Sequence, residues 1–252
     1  MMSSPWLEQL VAQQNSNLSA RIEKFKDRDD ALARLVEVMP IVEMSKRKIL
    51  IIAISYGGVL FAHNLAKILG AEYDLLFTAS IPAPVNPECA IAMVSETYDI
   101  ITHDALISSF GISNDYIYGE AKRRYEEQIL STIYKVRKGE MINSLKDQDI
   151  VIVDEGIDSG MTITTAIKSC INRQAKSVSV AVPIMPADVE LLLRDIADNI
   201  YTILRPAHFV EIEDYYEKYE SLPQEKVEEL LGKGFLAQKH DKYNKEKVWK
   251  KR

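Results

Sequence analysis

The chain has only two cysteines among 252 residues, Cys89 and Cys170, and they lie far apart with no CxxC spacing. This scarcity excludes a disulfide-based scaffold and is typical of a reducing, cytoplasmic setting. The four histidines show no metal-binding spacing, and no Ser-His-Asp or Cys-His arrangement can be supported from the sequence.

Long apolar runs are also missing. No stretch approaches the roughly 18–20 uncharged apolar residues that a membrane span needs. Met1–Ser4 is followed by the mixed segment 6–10, not by the basic and apolar regions of a secretory signal. We therefore expect no membrane partner.

An excess of positive charge is missing as well. The net charge is −6 and the isoelectric point about 5.4, so the surface as a whole does not indicate nucleic-acid binding. Residues 239–252 differ, because they are rich in lysine. This segment is either a polyanion-binding tail or a solvated chain end.

Short apolar runs are present and predict buried parallel strands. Helical patterns lie between them, and this alternation predicts an α/β fold with a doubly wound, mainly parallel sheet. The predicted strands are Ile49–Ile54, Tyr73–Thr78, Asp149–Val153, Ser177–Pro183 and, more weakly, Asn199–Leu204.

Helices are predicted between the strands and at both ends of the chain. Gly70 and Gly139 are placed to end two of them, and Asp27 or Asp29 to begin another. The predicted helices are Pro5–Asn17, Arg28–Met44, Gly58–Leu69, Gly119–Arg137, Met161–Asn172, Glu211–Tyr219 and Gln224–Leu231, where Pro223 marks the start of the last.

No linker rich in Gly, Ser or Pro divides the chain. We expect a helical segment at 1–46, a core at 47–210, and C-terminal helices with the basic tail at 211–252. Residues 97–118 are polar, weakly periodic and long for a connection inside a compact domain. They form either an active-site lid or a packed hairpin.

The segment from Ile150 to Thr165 has the composition of a sugar-phosphate site. A buried strand delivers Asp154 and Glu155 at its carboxyl end, where open α/β sheets bind ligands. A short turn with Gly160 then opens a helix, whose free N–H groups and dipole form an anion site together with the nearby hydroxyls. Paired carboxylates beside a phosphate site suit a sugar phosphate that carries Mg²⁺.

This segment resembles the signature of type I phosphoribosyltransferases. The resemblance implies that Asp154 and Glu155 hold the ribose hydroxyls of phosphoribosyl pyrophosphate and that Mg²⁺ binds with the donor near them. It also implies a loop for the 5′-phosphate, made of Asp158, Ser159, Gly160, Met161 and Thr162. Asp158 matches the aspartate that handles the base proton in 6-oxopurine phosphoribosyltransferases, so it is the predicted catalytic base.

The similarity covers roughly residues 20–231 and resembles a bacterial group of predicted phosphoribosyltransferases. Ser55, Tyr56, Gly57 and Gly58 stand where the fold places its pyrophosphate loop, although Gly57 and Gly58 are equally consistent with a packing turn. Tyr56 replaces the arginine usual in that group, and Ala79 and Ser80 replace an Arg-Lys pair. Pyrophosphate must then rely on Mg²⁺ and backbone amides.

The acceptor base is less defined. The segment 206–210 resembles the segment of 6-oxopurine enzymes in which a phenylalanine stacks on the base, so Phe209 is the predicted stacking residue and Val210 supplies backbone contacts. The alternative for Phe209 is a core aromatic.

Arg123 and Arg124 either supply charge from a closing lid or lie on a solvated helix face.

Two functions remain open at this stage. The first is a Mg²⁺-dependent phosphoribosyltransferase that acts on a purine-like nucleobase and releases pyrophosphate. The second is a non-catalytic regulator that senses phosphoribosyl pyrophosphate or a nucleotide on the same fold. By analogy with other proteins of the fold, we expect a homodimer.

Overall fold

The computed structural model describes residues 23–232. The predicted helix Pro5–Asn17 and the lysine-rich tail lie outside the described residues. In the described part, a five-stranded parallel sheet carries helices on both faces, and a smaller antiparallel sheet stands beside it. The doubly wound α/β fold predicted from the sequence is therefore confirmed.

The main sheet has the strand order β2-β1-β6-β7-β8. Its strands are β1 (Ile49–Ala53), β2 (Glu72–Leu75), β6 (Asp149–Val153), β7 (Ser177–Ala181) and β8 (Asn199–Tyr201). The predicted strands thus all exist, although several are shorter than the apolar runs that indicated them.

Successive residues of β1 belong to two different cores. Ile49, Ile51 and Ala53 face one cluster, and Leu50 and Ile52 face the other, because side chains alternate along a strand. Covering both faces of a parallel sheet explains why these strands are apolar throughout.

Helices before and within the sheet follow the predicted pattern with one correction. The structure has α1 (Arg28–Glu37), α2 (Ile41–Met44) and α3 (Tyr56–Leu69). Asp27 caps α1, accepting a hydrogen bond from Asp30 N at 3.0 Å. The single predicted helix Arg28–Met44 is broken at Pro40, since proline has no N–H and cannot continue a helix.

The second sheet was not predicted. It contains β3 (Thr78–Ala83), β4 (Asn86–Ser95) and β5 (Ile100–Thr102) in antiparallel order. The predicted strand Tyr73–Thr78 ends at Leu75, and Thr78 already belongs to β3. Of residues 97–118, the first part forms the β4–β5 hairpin and the remainder enters α4 (Asp104–Phe110) and α5 (Asn114–Arg124).

The predicted helix Gly119–Arg137 is longer and less regular than expected. It comprises α5, a π-helical turn (Tyr125–Ile129) and α6 (Leu130–Arg137). The remaining helices are α7 (Met161–Asn172) and α8 (Ala187–Leu193). The predicted helix Glu211–Tyr219 is only a 3-10 turn (Ile212–Tyr215), and residues 224–232 are helical as predicted.

The two ends of the described chain meet beside the main sheet. Phe25 pairs with Tyr216 in an isolated parallel bridge, in which Phe25 N donates to Tyr215 O at 2.9 Å and Glu217 N to Phe25 O at 2.8 Å. The segments flanking the sheet are therefore held together through their backbones. None of the described helices is long and apolar enough to cross a bilayer.

Candidate functional site

The candidate site begins where β1 and β6 end side by side. The two strands pair in register from Ile49 opposite Asp149 to Ala53 opposite Val153. This register brings the first residues after each strand together, and Ser55 Oγ donates to Asp154 Oδ1 at 2.5 Å. Ser55 also caps α3 by accepting from Gly58 N at 3.0 Å. One serine thus joins the predicted pyrophosphate loop to the predicted ribose acid.

A cavity of about 340 Å³ lies at this edge of the sheet. Its walls include Ser55, Asp154, Asp158, Ser159, Gly160 and Thr162, with Thr78 from β3 opposite. We call this cavity the sugar-phosphate pocket. The structure therefore brings one predicted ribose acid, four residues of the predicted phosphate loop and one residue of the pyrophosphate loop into a single space.

The phosphate loop has the geometry of an anion site. Gly160 stands at the N-terminus of α7 with φ +78°, and no side chain caps this helix. The bond back to Gly160 O comes from Thr164 N, as expected for a helix whose first amides remain available to a ligand. Asp158 and Ser159 are exposed, while Met161 and Thr162 are half-buried.

Gly160 is required by both its conformation and its surroundings. Its φ lies in the left-handed region, where a side chain is strained. A Cβ placed there would lie 2.8 Å from Val189 Cγ1 of α8. The tight turn that exposes the amides of α7 therefore depends on glycine at this position.

Asp154 is a buried acid whose pKa is raised to about 7. Burial is the largest cause, and the hydrogen bonds from Ser55 Oγ and Glu155 N oppose it. Both of these bonds are accepted by Oδ1, so Oδ2 is the oxygen that can serve a ligand. A ligand hydroxyl or a cation at Oδ2 would favour the ionised carboxylate.

Glu155 is not among the residues that line the sugar-phosphate pocket. Its Oε2 accepts from Arg28 Nε at 2.7 Å, and its Oε1 accepts from Tyr219 Oη at 2.6 Å. Of the two adjacent acids, therefore, only Asp154 lines the pocket. The ribose role of Glu155 stays a prediction that would require its carboxylate to leave both partners.

The predicted pyrophosphate loop is closely packed against the two acids. A Cβ at Gly57 would lie 2.1 Å from Glu155 Oε1, and one at Gly58 would lie 3.1 Å from both Asp154 Oδ1 and Val153 O. Both glycines therefore serve close packing, whether or not the loop also binds a ligand. Tyr56 lines a neighbouring cavity of about 250 Å³, which also contacts Gln128 and Thr132.

The predicted base-stacking residue already has an aromatic partner. Phe209 is half-buried and stacks on Tyr215, with ring centroids 5.4 Å apart and planes inclined by 29°. Val210 is exposed beside it. Neither residue lines the sugar-phosphate pocket, and Phe209 also packs against one of the two hydrophobic cores. A base could contact only the part of the ring that Tyr215 and the core leave exposed.

The pocket differs from a typical phosphate site in its supply of positive charge. Within residues 23–232, no lysine or arginine is among the residues that line the sugar-phosphate pocket or the cavity beside Tyr56. Arg123 is exposed and pairs with Glu120 and Glu127 on its own helix, and Arg124 lies 3.7 Å from Glu120. Arg123 thus lies on a solvated helix face, one of the two alternatives, whereas Arg124 is half-buried and its Nε is enclosed without a hydrogen-bond partner among the described residues.

The residues present fit a magnesium ion only when it arrives with phosphate oxygens. The described part of the chain contains no group of three or more His, Cys, Asp or Glu side chains that could hold a metal. Mg²⁺ is commonly bound by one or two carboxylates together with substrate phosphates. Asp154 Oδ2 supplies such a carboxylate.

Two features of this region were missed by the sequence reasoning. Arg28 and Tyr219, which bind Glu155, lie within the segment that resembles the family but carried no predicted role.

A buried ion cluster at the end of β2 was also not predicted. In this cluster Arg137 pairs with Asp74 at 3.4 Å and more closely with Glu96. Burial raises the pKa of Asp74 to about 6, although Arg137 lowers it. Charged residues inside otherwise apolar segments were the available signal.

Comparison with known proteins agrees with this fold. The model of the phosphoribosyl transferase domain matches residues 30–220. The chain therefore belongs to the phosphoribosyl transferase domain family, and it has the type I phosphoribosyltransferase fold.

Individual relatives are more distant. A Mycobacterium tuberculosis protein named "Putative phosphoribosyl transferase" is 26% identical over 208 residues, which cover 82% of this chain and 46% of that protein. The chain thus spans less than half the length of this relative. The crystal structure of TT1426 from Thermus thermophilus is similar with a TM-score of 0.67 and 25% identity, covering 82% of this chain and 97% of that one.

Proposed function

We propose that this protein transfers ribose 5-phosphate from phosphoribosyl pyrophosphate to a nitrogenous, purine-like base and releases pyrophosphate. The single observation that carries the proposal is the sugar-phosphate pocket, in which the uncapped N-terminus of α7 faces the same space as Asp154 and Asp158. An anion site and carboxylates that face the same pocket suit a phosphorylated sugar.

The 5′-phosphate is assigned to the loop Asp158–Thr162. The first amides of α7, the hydroxyls of Ser159 and Thr162, and the helix dipole all favour an anion there. Thr162 Oγ1 now donates only weakly, to Met93 Sδ at 3.5 Å, and a phosphate oxygen is a better acceptor. The ribose hydroxyls are assigned to Asp154, which precedes the phosphate loop in the chain and lines the same pocket.

Asp158 is the proposed catalytic base. Glycosyl transfer from the donor proceeds through an oxocarbenium-like state, in which positive charge grows on the ribose as pyrophosphate leaves. The base nitrogen that attacks C1 of the ribose loses its proton to Asp158 Oδ. Asp158 is exposed in the pocket wall, so an acceptor can reach it.

Magnesium is the proposed metal, and Asp154 is the residue that would hold it together with the donor. When bound, it neutralises the charge that develops on the leaving pyrophosphate. The loop Ser55, Tyr56, Gly57 and Gly58 at the start of α3 is the proposed site for the leaving pyrophosphate. For the acceptor, Phe209 offers the part of its ring that Tyr215 and the core leave exposed, and Val210 offers its backbone.

A second candidate function is a non-catalytic sensor of phosphoribosyl pyrophosphate or a nucleotide. The observation that favours it is the lack of lysine and arginine among the described residues that line the pocket. Leaving-group stabilisation usually uses such cations. A sensor needs the phosphate loop but not the cations.

Incubation with phosphoribosyl pyrophosphate, Mg²⁺ and a panel of purine and pyrimidine bases, assayed for pyrophosphate, separates these functions. The enzyme releases pyrophosphate with at least one base, and Asp158→Asn abolishes this release. A sensor binds the donor calorimetrically and releases none with any base. If neither the donor nor a nucleotide binds, both functions are contradicted.

A further inference from the structure

Both carboxylate oxygens of Glu155 accept hydrogen bonds, whereas the two bonds to Asp154 share one oxygen. Glu155 is a carboxylate with little exposure, and its two oxygens have different partners: Arg28 Nε on Oε2 and Tyr219 Oη on Oε1. Arg28 comes from α1 and Tyr219 from the segment after the 3-10 turn. Two segments outside the sheet therefore meet at one acid of the signature.

The two partners of Glu155 also hold each other. The Arg28 guanidinium lies over the Tyr219 ring, 4.3 Å from its centroid, and Arg28 Nη1 donates to Glu220 O at 2.6 Å. A charge-assisted hydrogen bond and a cation–π contact thus close a three-residue cluster. We call Arg28, Glu155 and Tyr219 the flanking cluster.

The backbone of Glu155 is fixed as tightly as its side chain. Its carbonyl accepts from Tyr216 Oη at 2.8 Å, and its amide donates to Asp154 Oδ1 at 2.8 Å. Glu155 is therefore joined by a direct hydrogen bond to the carboxyl of Asp154, which lines the sugar-phosphate pocket.

The carboxylate of Glu155 also occupies space beside α3. A Cβ at Gly57 would lie 2.1 Å from Glu155 Oε1 and 2.6 Å from Oε2. The flanking cluster therefore contacts the first turn of α3 on one side and, through the amide of Glu155, Asp154 on the other.

We infer that Glu155 is a positioning residue for the donor site and not a ribose ligand: with Arg28 and Tyr219 it holds Asp154 and the first turn of α3 in the geometry that binds phosphoribosyl pyrophosphate. This inference rests on the proposed function. It assigns a role in donor binding to Arg28 and Tyr219, neither of which lines the sugar-phosphate pocket.

The two possible roles of Glu155 predict opposite results. If Glu155 positions Asp154, weakening the hydrogen bonds that Arg28 or Tyr219 donates to Glu155 also weakens donor binding. If Glu155 binds the ribose, Arg28 and Tyr219 compete with the donor for the carboxylate oxygens of Glu155. Weakening their hydrogen bonds then strengthens donor binding or leaves it unchanged.

The test uses Arg28→Lys and Tyr219→Phe in the full chain, with donor affinity measured calorimetrically in Mg²⁺. Tyr219→Phe removes only the hydroxyl that donates to Oε1, and Arg28→Lys keeps the charge but loses the planar fork. We expect each variant to raise the Kd and KM for phosphoribosyl pyrophosphate about tenfold or more, as partners of ligand-binding residues typically do, and to change kcat less.

Arg34→Lys is the matched control. Arg34 lies on the same helix, pairs with Glu23 and stacks over the Phe25 ring at 4.8 Å, but it does not contact Glu155. Its Kd for the donor should equal that of the wild type. Thermal melting shows which variants are folded at the assay temperature, and Tyr219→Phe decides the result if Arg28→Lys is not.

Equal or tighter donor binding by folded Tyr219→Phe overturns this inference alone. A loss of affinity as large in Arg34→Lys also overturns it, because the effect would then be general to α1. If the wild type itself does not bind the donor, the proposed function fails first and the inference fails with it.

Discussion

Ser55 Oγ donates a hydrogen bond to Asp154 Oδ1 at 2.5 Å, and this bond joins the chain after β1 to the chain after β6 at the wall of the sugar-phosphate pocket. Parallel pairing of the two strands sets the distance, because the strands end at the same level. The contact between Ser55 and Asp154 therefore follows from the backbone register of the two strands.

Asp154→Asn tests the pH dependence of stability. Burial raises the pKa of Asp154 from 3.8 to about 7, so the folded protein holds a proton that the unfolded chain releases above about pH 4. The stabilisation from this proton is present below about pH 4 and is lost as the pH rises through about 7. The variant, whose amide oxygen can still accept both hydrogen bonds, should unfold with a free energy higher by about 2–4 kcal/mol at pH 8 and unchanged near pH 4.

Urea denaturation at several pH values measures this difference. A stability gain that is equal at pH 4 and pH 8 would show that Asp154 does not titrate in this range. Donor binding should be lost in the same variant, since the asparagine cannot serve Mg²⁺ or the ribose hydroxyls as a carboxylate does.

Asp158→Asn tests the proposed base. Loss of proton transfer should lower kcat by about 10²–10⁴-fold, while the Kd for the donor changes little because the amides of α7 remain. Steady-state kinetics and calorimetry together measure this split. Asp115→Asn, at an exposed aspartate of α5, is the control and should match the wild type. A kcat equal to that of the wild type removes Asp158 as the base.

Gly160→Ala tests the turn that exposes the amides of α7. The left-handed φ of +78° should cost about 1–2 kcal/mol, and contact with Val189 should add to this and displace the loop. Gly70→Ala is matched, since Gly70 has φ +64° but nothing within 4 Å of its Cβ position. Both variants should be less stable in denaturant, but only Gly160→Ala should weaken donor binding. Equal affinities would exclude the loop from the binding site.

Arg137→Met tests the buried ion cluster. The substitution leaves Glu96 and Asp74 without their cation in the interior, which should cost about 3–5 kcal/mol of unfolding free energy. The loss should be smaller at pH 5 than at pH 8, because the pKa of Asp74 is raised to about 6 and its protonation removes one unpaired charge. Arg123→Met, at an exposed ion pair, should change stability little. A loss that does not depend on pH would contradict the predicted titration of Asp74.

The sequence was most informative where one physical cause acts alone. Strands such as Ile49–Ala53 are apolar because both faces are covered, and Gly160 is where a left-handed turn requires it. Pro40 carried the signal of a helix break, but the helical period on either side of it masked that signal. The paired strands β3 and β4 were missed because Pro82 and Pro87, which lie within them, weaken the strand pattern, and because their pairing depends on cross-strand partners.

The orientation of neighbouring side chains was the other limit. Asp154 and Glu155 are chemically similar in the sequence, yet the structure turns one to the pocket and the other to Arg28 and Tyr219. Arg28 also bonds the carbonyl of Glu220, across a separation of 192 residues. No local pattern predicts contacts between segments so far apart in the chain.

Ser159→Glu provides the most direct test of the central claim, that the N-terminus of α7 binds the 5′-phosphate of the donor. Ser159 is exposed immediately before Gly160, so the new carboxylate would occupy the anion site without disturbing the core, and a negative charge there interacts favourably with the helix dipole. Calorimetric titration with phosphoribosyl pyrophosphate and Mg²⁺ should show binding to the wild type and none to the variant, while the melting temperature stays the same or rises. Undiminished binding by the variant would contradict the claim.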